Sequence, residues 1–305
     1  MIVQKKYAAI DIGSNAVRLL IATITEQKGR EPIFKKTSLV RVPIRLGEDV
    51  FDSQKISEEN ITRMIDTIQA FKLLMRSHKI IRYKACATSA MREAKNGKNV
   101  ADLIEAETGV KINIIDGNDE AAIIAATDLH ELIKNDKTYL YVDVGGGSTE
   151  FTLYSNGNTI TSKSFKLGTV RLLNKSVSED IWREVEDWVK KTTKNYIKID
   201  LIGSGGNINN IFKSSGKSVG KPLSFLYLSS YYQLLLSFTY EERITELNLN
   251  PDRADVIIPA AKIYLSAMKW TRARRIYVPK IGLSDGIVRS LYQQDQKQKS
   301  AVDSF

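Results

Sequence analysis

The sequence predicts an α/β protein made of two duplicated lobes facing a shared cleft, and three observations carry that prediction. The chain has 305 residues, more than one ordinary hydrophobic core requires. It repeats itself: residues 7–20 read YAAIDIGSNAVRLL and residues 139–152 read YLYVDVGGGSTEFT, so tyrosine, an apolar run, aspartate, an apolar residue and glycine recur at a constant offset of 132. After each copy, strand-like and helix-like segments follow in the same order.

Each copy reads as a strand, a glycine-bearing turn and a second strand. In the first half, residues 18–25 and 32–41 continue as strands. Residues 57–77 then read as a helix. Ser57 is its candidate N-cap, and Ile61, Met64, Ile65, Ile68, Phe71, Leu74 and Met75 keep helical spacing. A strand at 83–87 runs into Thr88-Ser89-Ala90, and a strand at 111–115 runs through Gly117 into a helix carrying Asp119, Glu120 and Ala121. The second half answers with a hairpin at Asn156-Gly157, a helix over 178–196 and a strand at 199–202 entering Gly203-Ser204-Gly205-Gly206-Asn207. A helical insert over about 223–270 and a strand at 275–278 lead through Gly282 into a last helix. The expected domains are residues 1–126, joined by the C-terminal helix at about 286–305, and residues 127–285.

The formal charge is +10, with clusters at Lys5-Lys6, Lys35-Lys36, Lys190-Lys191 and 269–275. Such a surplus suits a polyanionic partner, although a basic surface chosen for solubility gives the same composition. No apolar run approaches a membrane span, and the N-terminus lacks a secretory pattern, so the expectation is a cytoplasmic protein without a membrane partner. Trp270 in the basic stretch precedes an apolar strand and accompanies no nucleic-acid module, so no nucleic-acid partner is expected. The single cysteine, Cys86, sits in an apolar strand and reads as a buried thiol. His78 and His130 stand apart from other ligand types and read as structural.

Chemistry concentrates in the turns. Asp11-Ile12-Gly13-Ser14-Asn15 and Asp143-Val144-Gly145-Gly146-Gly147-Ser148-Thr149 each place an aspartate at a strand end, ahead of glycines that let backbone N–H groups converge on an anion. Two anions repel, so Asp11 and Asp143 make sense beside phosphate if a hard cation such as Mg²⁺, or another divalent cation, lies between; Glu150 is near enough in sequence to share that shell. Arg92 follows the hydroxyls of Thr88 and Ser89 at a strand-to-helix junction that suits phosphate oxygens. Asp119 and Glu120 open a helix, where acids complement the dipole; Glu120 is also a candidate to activate water. From these residues alone a phosphohydrolase, a nucleotide-dependent kinase or ATPase, and a non-catalytic anion sensor all remain open.

The motifs in this order resemble the exopolyphosphatase and guanosine-pentaphosphate phosphatase (Ppx/GppA) family, within the superfamily of acetate and sugar kinases, Hsp70 and actin. The resemblance runs nearly end to end: IDIGSNAVRLLI from Ile10, IRLGEDV from Ile44, ATSAMREAKNG from Ala87, IDGNDEA from Ile115, DVGGGSTEF from Asp143, KLGTVRL from Lys166, GSGGN from Gly203 and RADVIIPA from Arg253. It implies two ribonuclease-H-like (actin-like ATPase) lobes, with inorganic polyphosphate or pppGpp as substrate in the interlobe cleft. It assigns water activation to Glu120, metal binding to Asp143 with Glu150, and phosphate contacts to Ser14, Asn15, Arg92, Gly145, Gly146, Gly147 and Ser148. The family's C-terminal HD-type helical region is expected to be lacking, and a homodimer is the candidate assembly. Two departures stand out: GLSDGIVRSLY replaces a "REG" pattern common in the family, and Asp119 stands where glutamate is common.

Overall fold

Residues 7–12 form the buried half of a central strand, because both faces of an apolar run must be covered when it lies mid-sheet. The computed structural model describes residues 2–125, 127, 133 and 136–302; His130 lies outside the described residues. The chain divides into one unit of Met1–Thr127 with Leu283–Phe305 and a second of Asp128–Gly282.

The first unit runs β1 (Ile2–Ile12), β2 (Val17–Gln27), β3 (Ile33–Val42), α1 (Leu46–Ser53), α2 (Glu58–Ser77), β4 (Arg82–Ala87), α3 (Ser89–Glu93), α4 (Gly97–Thr108), β5 (Ile112–Ile114) and α5 (Gly117–Ala125). Its sheet order is β3-β2-β1-β4-β5, antiparallel through the first three strands and parallel through the last two pairings. Ile12 is the register partner of Ala87, and Ala87 of Ile114. The turns that follow β1, β4 and β5 therefore leave the sheet side by side, at the carboxyl ends of parallel strands, where α/β folds bind ligands. Thr88 N donates to Ile12 O at 3.1 Å and Ile115 N to Ala87 O at 3.0 Å, continuing the ladder into those turns.

Helix α2 starts where its chemistry directs. The Ser57 side chain accepts from Asn60 N, and Glu58 and Glu59 occupy the first turn. Asp49 reinforces the start by accepting from Ser57 N, Ser57 Oγ and Asn60 Nδ2 at 2.7–2.9 Å. Met64, Ile68, Phe71 and Met75 face the core, each side chain contributing about 1.5–3 kcal/mol on burial. Cys86 is fully buried in β4, and burial pushes its thiol up to about 11; the negative charges of Asp11, Glu120 and Asp119 add to that against Lys84. A rise from 9.0 leaves about a hundredfold less thiolate. Labelling of the native protein by a thiol reagent at pH 8 is therefore expected to run at least about a hundredfold slower than in urea, and equal rates would contradict this burial.

The second unit repeats the plan with β6 (Thr138–Val144), β7 (Thr149–Ser155), β8 (Asn158–Phe165), α6 (Thr169–Leu173), α7 (Glu179–Thr193), β9 (Ile199–Ser204), α8 (Gly206–Ser214), β10 (Leu223–Ser224), α9 (Phe225–Ser237), α10 (Tyr240–Thr245), α11 (Pro251–Ala254), α12 (Ile257–Thr271) and β11 (Arg275–Tyr277). Strand order β10-β11-β9-β6-β7-β8 contains the first sheet's pattern, β8-β7-β6-β9-β11, with β10 added at an edge. Val144, Ser204 and Tyr277 end the three parallel strands, so the turns after them also emerge together. The helices of the insert pack on this sheet chiefly through α12, in which Ile257, Ala260, Ala261, Ile263, Tyr264 and Ala267 have no exposure.

Helix α13 (Leu283–Val302) returns to the first unit and packs on β1, β4 and α5. Tyr7 Oη donates to Asp295 at 2.7 Å, and Arg82 pairs with the same carboxylate. Among the described residues no helix is long and apolar enough to cross a membrane.

Candidate active site

Asp11, Ser14, Asn15, Arg92 and Glu120 belong to the first unit. Asp11, next to the end of β1, lies opposite Arg18 of β2, and the guanidinium donates to its Oδ2 at 2.7 Å. The turn closes with Gly13 N on Ala16 O at 3.1 Å, and the chain after β3 braces it from outside: Gly47 N donates to Ser14 O at 2.8 Å and Arg45 N to Asn15 O at 3.1 Å. The Ser14 hydroxyl is buried at 3% exposure and finds no hydrogen-bond partner among the described residues. A buried hydroxyl left so costs about 1–3 kcal/mol, and a phosphate oxygen would satisfy it.

Arg92 extends from α3 and donates Nη1 to Ile115 O at 2.7 Å, fastening the β4 turn to the segment that opens α5. Asp116 Oδ1 caps that helix, accepting from the amides of Asn118 and Asp119, both at 2.8 Å. Glu120 follows in the first turn, its amide on Asp116 O.

The second unit holds Asp143, Gly145, Gly146, Gly147, Ser148 and Glu150. Asp143 and Glu150 are direct register partners across β6 and β7, and Ser204 and Ser164 are their partners on the outer sides. Register partners share a sheet face, so two carboxylates lie side by side, flanked by two hydroxyls. Ser204 Oγ donates to Asp143 Oδ2 at 3.1 Å and to Glu150 Oε1 come Ser148 Oγ at 2.6 Å and Ser164 Oγ at 2.8 Å. Tyr141 and Tyr264 are fully buried nearby; burial first, and then the Asp143 charge, push both phenols well above their ordinary value, so both stay protonated donors. Tyr264 donates to Ser204 O. Gly205 adopts φ 117°, a conformation open to glycine, close against Val144 O.

Among the described residues no three His, Cys, Asp or Glu side chains form a group able to hold a metal. Mg²⁺ does not need one: it commonly binds through one or two carboxylates, keeps waters and takes its other ligands from substrate phosphates. Asp143 and Glu150 fit that donor set, with orientations fixed by hydroxyls. Asp11 fits less well, because Arg18 already holds its Oδ2.

The Ppx/GppA phosphatase family model matches residues 20–295. The chain belongs to this family. It is therefore a hydrolase of the phosphatase kind, with a fold of two actin-like lobes. A bifunctional 3-dehydroquinate synthase/phosphatase from Fusobacterium nucleatum is 30% identical over 274 residues, 82% of this chain but only 41% of that protein's length. Exopolyphosphatase 2 of Mycobacterium tuberculosis is 26% identical over 94% of this chain and 98% of its own. The crystal structure of the Aquifex aeolicus family member superposes with a TM-score of 0.75 at 24% identity, covering 96% of this chain and 99% of that one. An exopolyphosphatase from Cytophaga hutchinsonii gives 0.82 at 22% identity, covering 95% and 98%.

Sequence reasoning named none of Ser164, Ser204, Tyr264 and Arg171 as a site residue, though Ser164, Ser204 and Arg171 touch the second loop or its carboxylates and Tyr264 donates to Ser204 O. Arg171 lay within the quoted KLGTVRL motif and Ser204 within GSGGN, so both carried a signal; Ser164 carried none.

Proposed function

We propose that this Ppx/GppA family member is an exopolyphosphatase that cleaves the terminal phosphoanhydride bond of inorganic polyphosphate and releases orthophosphate. The observation that carries the reading is the second glycine loop beside the paired carboxylates of Asp143 and Glu150, an arrangement suited to an anion and a divalent cation together. The nearly full-length relatives named exopolyphosphatase support it.

In this reading Glu120 accepts a proton from water as the water oxygen bonds to the terminal phosphorus. The bond from that phosphorus to the bridging oxygen breaks, and its electron pair leaves with the shortened chain. Ser14, Asn15 and Arg92 hold phosphoryl oxygens in the first unit, and Gly145, Gly146, Gly147 and Ser148 do so in the second. Asp143 and Glu150 would hold Mg²⁺ or another divalent cation, with Asp11 at most a lesser contributor; the cation would supply neutralisation of phosphate charge.

The 5′-triphosphate of pppGpp ends in the same anhydride and is the competing substrate. Initial rates of orthophosphate release on long-chain polyphosphate, tripolyphosphate and pppGpp, at equal Mg²⁺, test the assignment. Polyphosphate is expected to be the fastest. A faster rate on pppGpp would transfer the assignment to that nucleotide, and no release from any of the three would remove it.

A further inference from the structure

We propose that Arg171 is a positioning residue, which aims the backbone amides of the second glycine loop at substrate phosphate. The inference deepens the reading of residues 145–148 as a phosphate loop and rests on it.

The argument is one of carbonyl directions. Thr169 N donates to Gly145 O at 3.0 Å, Val170 N to Gly146 O at 2.9 Å, and Arg171 Nε to Gly147 O at 2.6 Å. Three successive loop carbonyls thus turn toward α6. In a trans peptide the carbonyl of one residue and the N–H of the next point in opposite directions within one plane. Holding the carbonyls of Gly145, Gly146 and Gly147 on α6 therefore turns the amides of Gly146, Gly147 and Ser148 the other way. Among the described residues none of these three amides donates to a protein acceptor. Converging amides of this kind make an anion-binding concavity.

The close approach of loop and helix is itself built in. A side chain at Gly168 would overlap the backbone of Gly146 and Gly147, so glycine there lets α6 press against the loop. The carbonyls of Gly145 and Gly146 are held by main-chain amides that almost any residue could supply, Gly146 O also accepting from Arg171 N at 3.4 Å. The bond to Gly147 O depends on a side chain. Arg171 is only 7% exposed, and its bond to Gly147 O is charge-assisted, about twice as strong as a neutral one. Because Nε engages the carbonyl side of the loop, the residue acts on the anion through the loop.

The test uses the full chain as purified, with Arg171→Lys and Arg171→Met, and the probe is inorganic tripolyphosphate. Lysine keeps the charge but lacks the planar N–H directed along the side chain. Three quantities are read: tripolyphosphate Kd by calorimetry, the KM and kcat for orthophosphate release, and Tm. Misaimed donors that serve substrate and transition state alike raise KM and leave kcat nearly unchanged. Both variants are expected to bind tripolyphosphate about tenfold more weakly and raise KM about as much, with kcat within about threefold and Tm within about 4 °C. Wild-type Kd and KM in a folded variant would overturn the proposal. So would unfolding of both variants, which would make Arg171 a structural residue of its unit. Failure of the wild type to bind tripolyphosphate at all would instead defeat the phosphate-loop reading on which the proposal stands.

Discussion

Glu120→Gln is expected to lower kcat for orthophosphate release by about 10²–10⁴-fold, the range that a positioned general base contributes. Glutamine preserves size and shape but cannot take a proton from water. The fold should survive, because α5 does not rely on this side chain to begin: Asp116 Oδ1 caps the amides of Asn118 and Asp119, and the Glu120 amide pairs with Asp116 O. Removing one acid from a first turn costs about 0.3–1 kcal/mol of helix-dipole interaction. KM should change little if the carboxylate meets water rather than phosphate. Orthophosphate release at saturating polyphosphate, with circular dichroism as the control for folding, decides the matter. A kcat within about threefold of the wild type would take Glu120 out of the mechanism. Asp119→Asn, one residue earlier in the same turn, is the comparison that shows the effect is local to Glu120.

Much of the architecture could be read because duplication doubles the signal. A strand ending in aspartate and a glycine turn is weak evidence once, but residues 7–20 and 139–152 present it at matching places, and the two sheets share a strand order. Helix α2 was legible from its cap and its apolar spacing, as was α7 from residues 178–196. Helix α1 was not, and neither were the bounds of the helices expected after β4 and β9. Helix α1 follows Arg45 at φ 63° without a side-chain cap, and α4 starts at Gly97 after an asparagine that makes no cap bond. Asn96 instead exchanges hydrogen bonds with the Ile56 backbone, a tertiary contact that leaves no local trace. Helix α8 begins inside a glycine cluster that reads as a turn, and its N-cap Gly205 supplies no side chain.

The site was legible where chemistry and strand ends coincide, and less so where function depends on register. Asp143 and Glu150 are seven residues apart in sequence; only the antiparallel pairing of β6 and β7 makes them neighbours. Ser164 joins them through a second pairing, from a strand whose sequence shows nothing but alternation. Asp11 shows the same dependence on register. Its resemblance in position to Asp143 suggests a metal ligand, yet β2 sets Arg18 opposite it, whereas β7 sets Glu150 opposite Asp143. The duplicated aspartates thus face an arginine in one unit and a second acid in the other, and the acidic pair has the donor set that a divalent ion commonly uses.

That pairing sets up the second large effect. Asp143→Asn is expected to lower the Mg²⁺-dependent rate by about 10²-fold or more, in line with losses seen when a preorganised electrostatic group is removed. It should also stabilise the metal-free protein slightly. Like charges directly opposite on neighbouring strands repel by roughly 0.2–1 kcal/mol, and asparagine removes that repulsion while still accepting from Ser204 Oγ. If Asp143 and Glu150 hold Mg²⁺ in the folded state alone, Tm of the wild type should rise with Mg²⁺ concentration, and in the variant that rise should shrink or vanish. Two readouts therefore move in opposite directions, lower activity with equal or higher metal-free Tm, which a general loss of folding cannot produce. Thermal scans with EDTA and across a Mg²⁺ series, run beside rate measurements, provide the comparison. A variant that keeps both its Mg²⁺-dependent rate and its Mg²⁺-dependent Tm would show that the cation is held elsewhere, and that Asp143 and Glu150 share a sheet face for structural reasons alone.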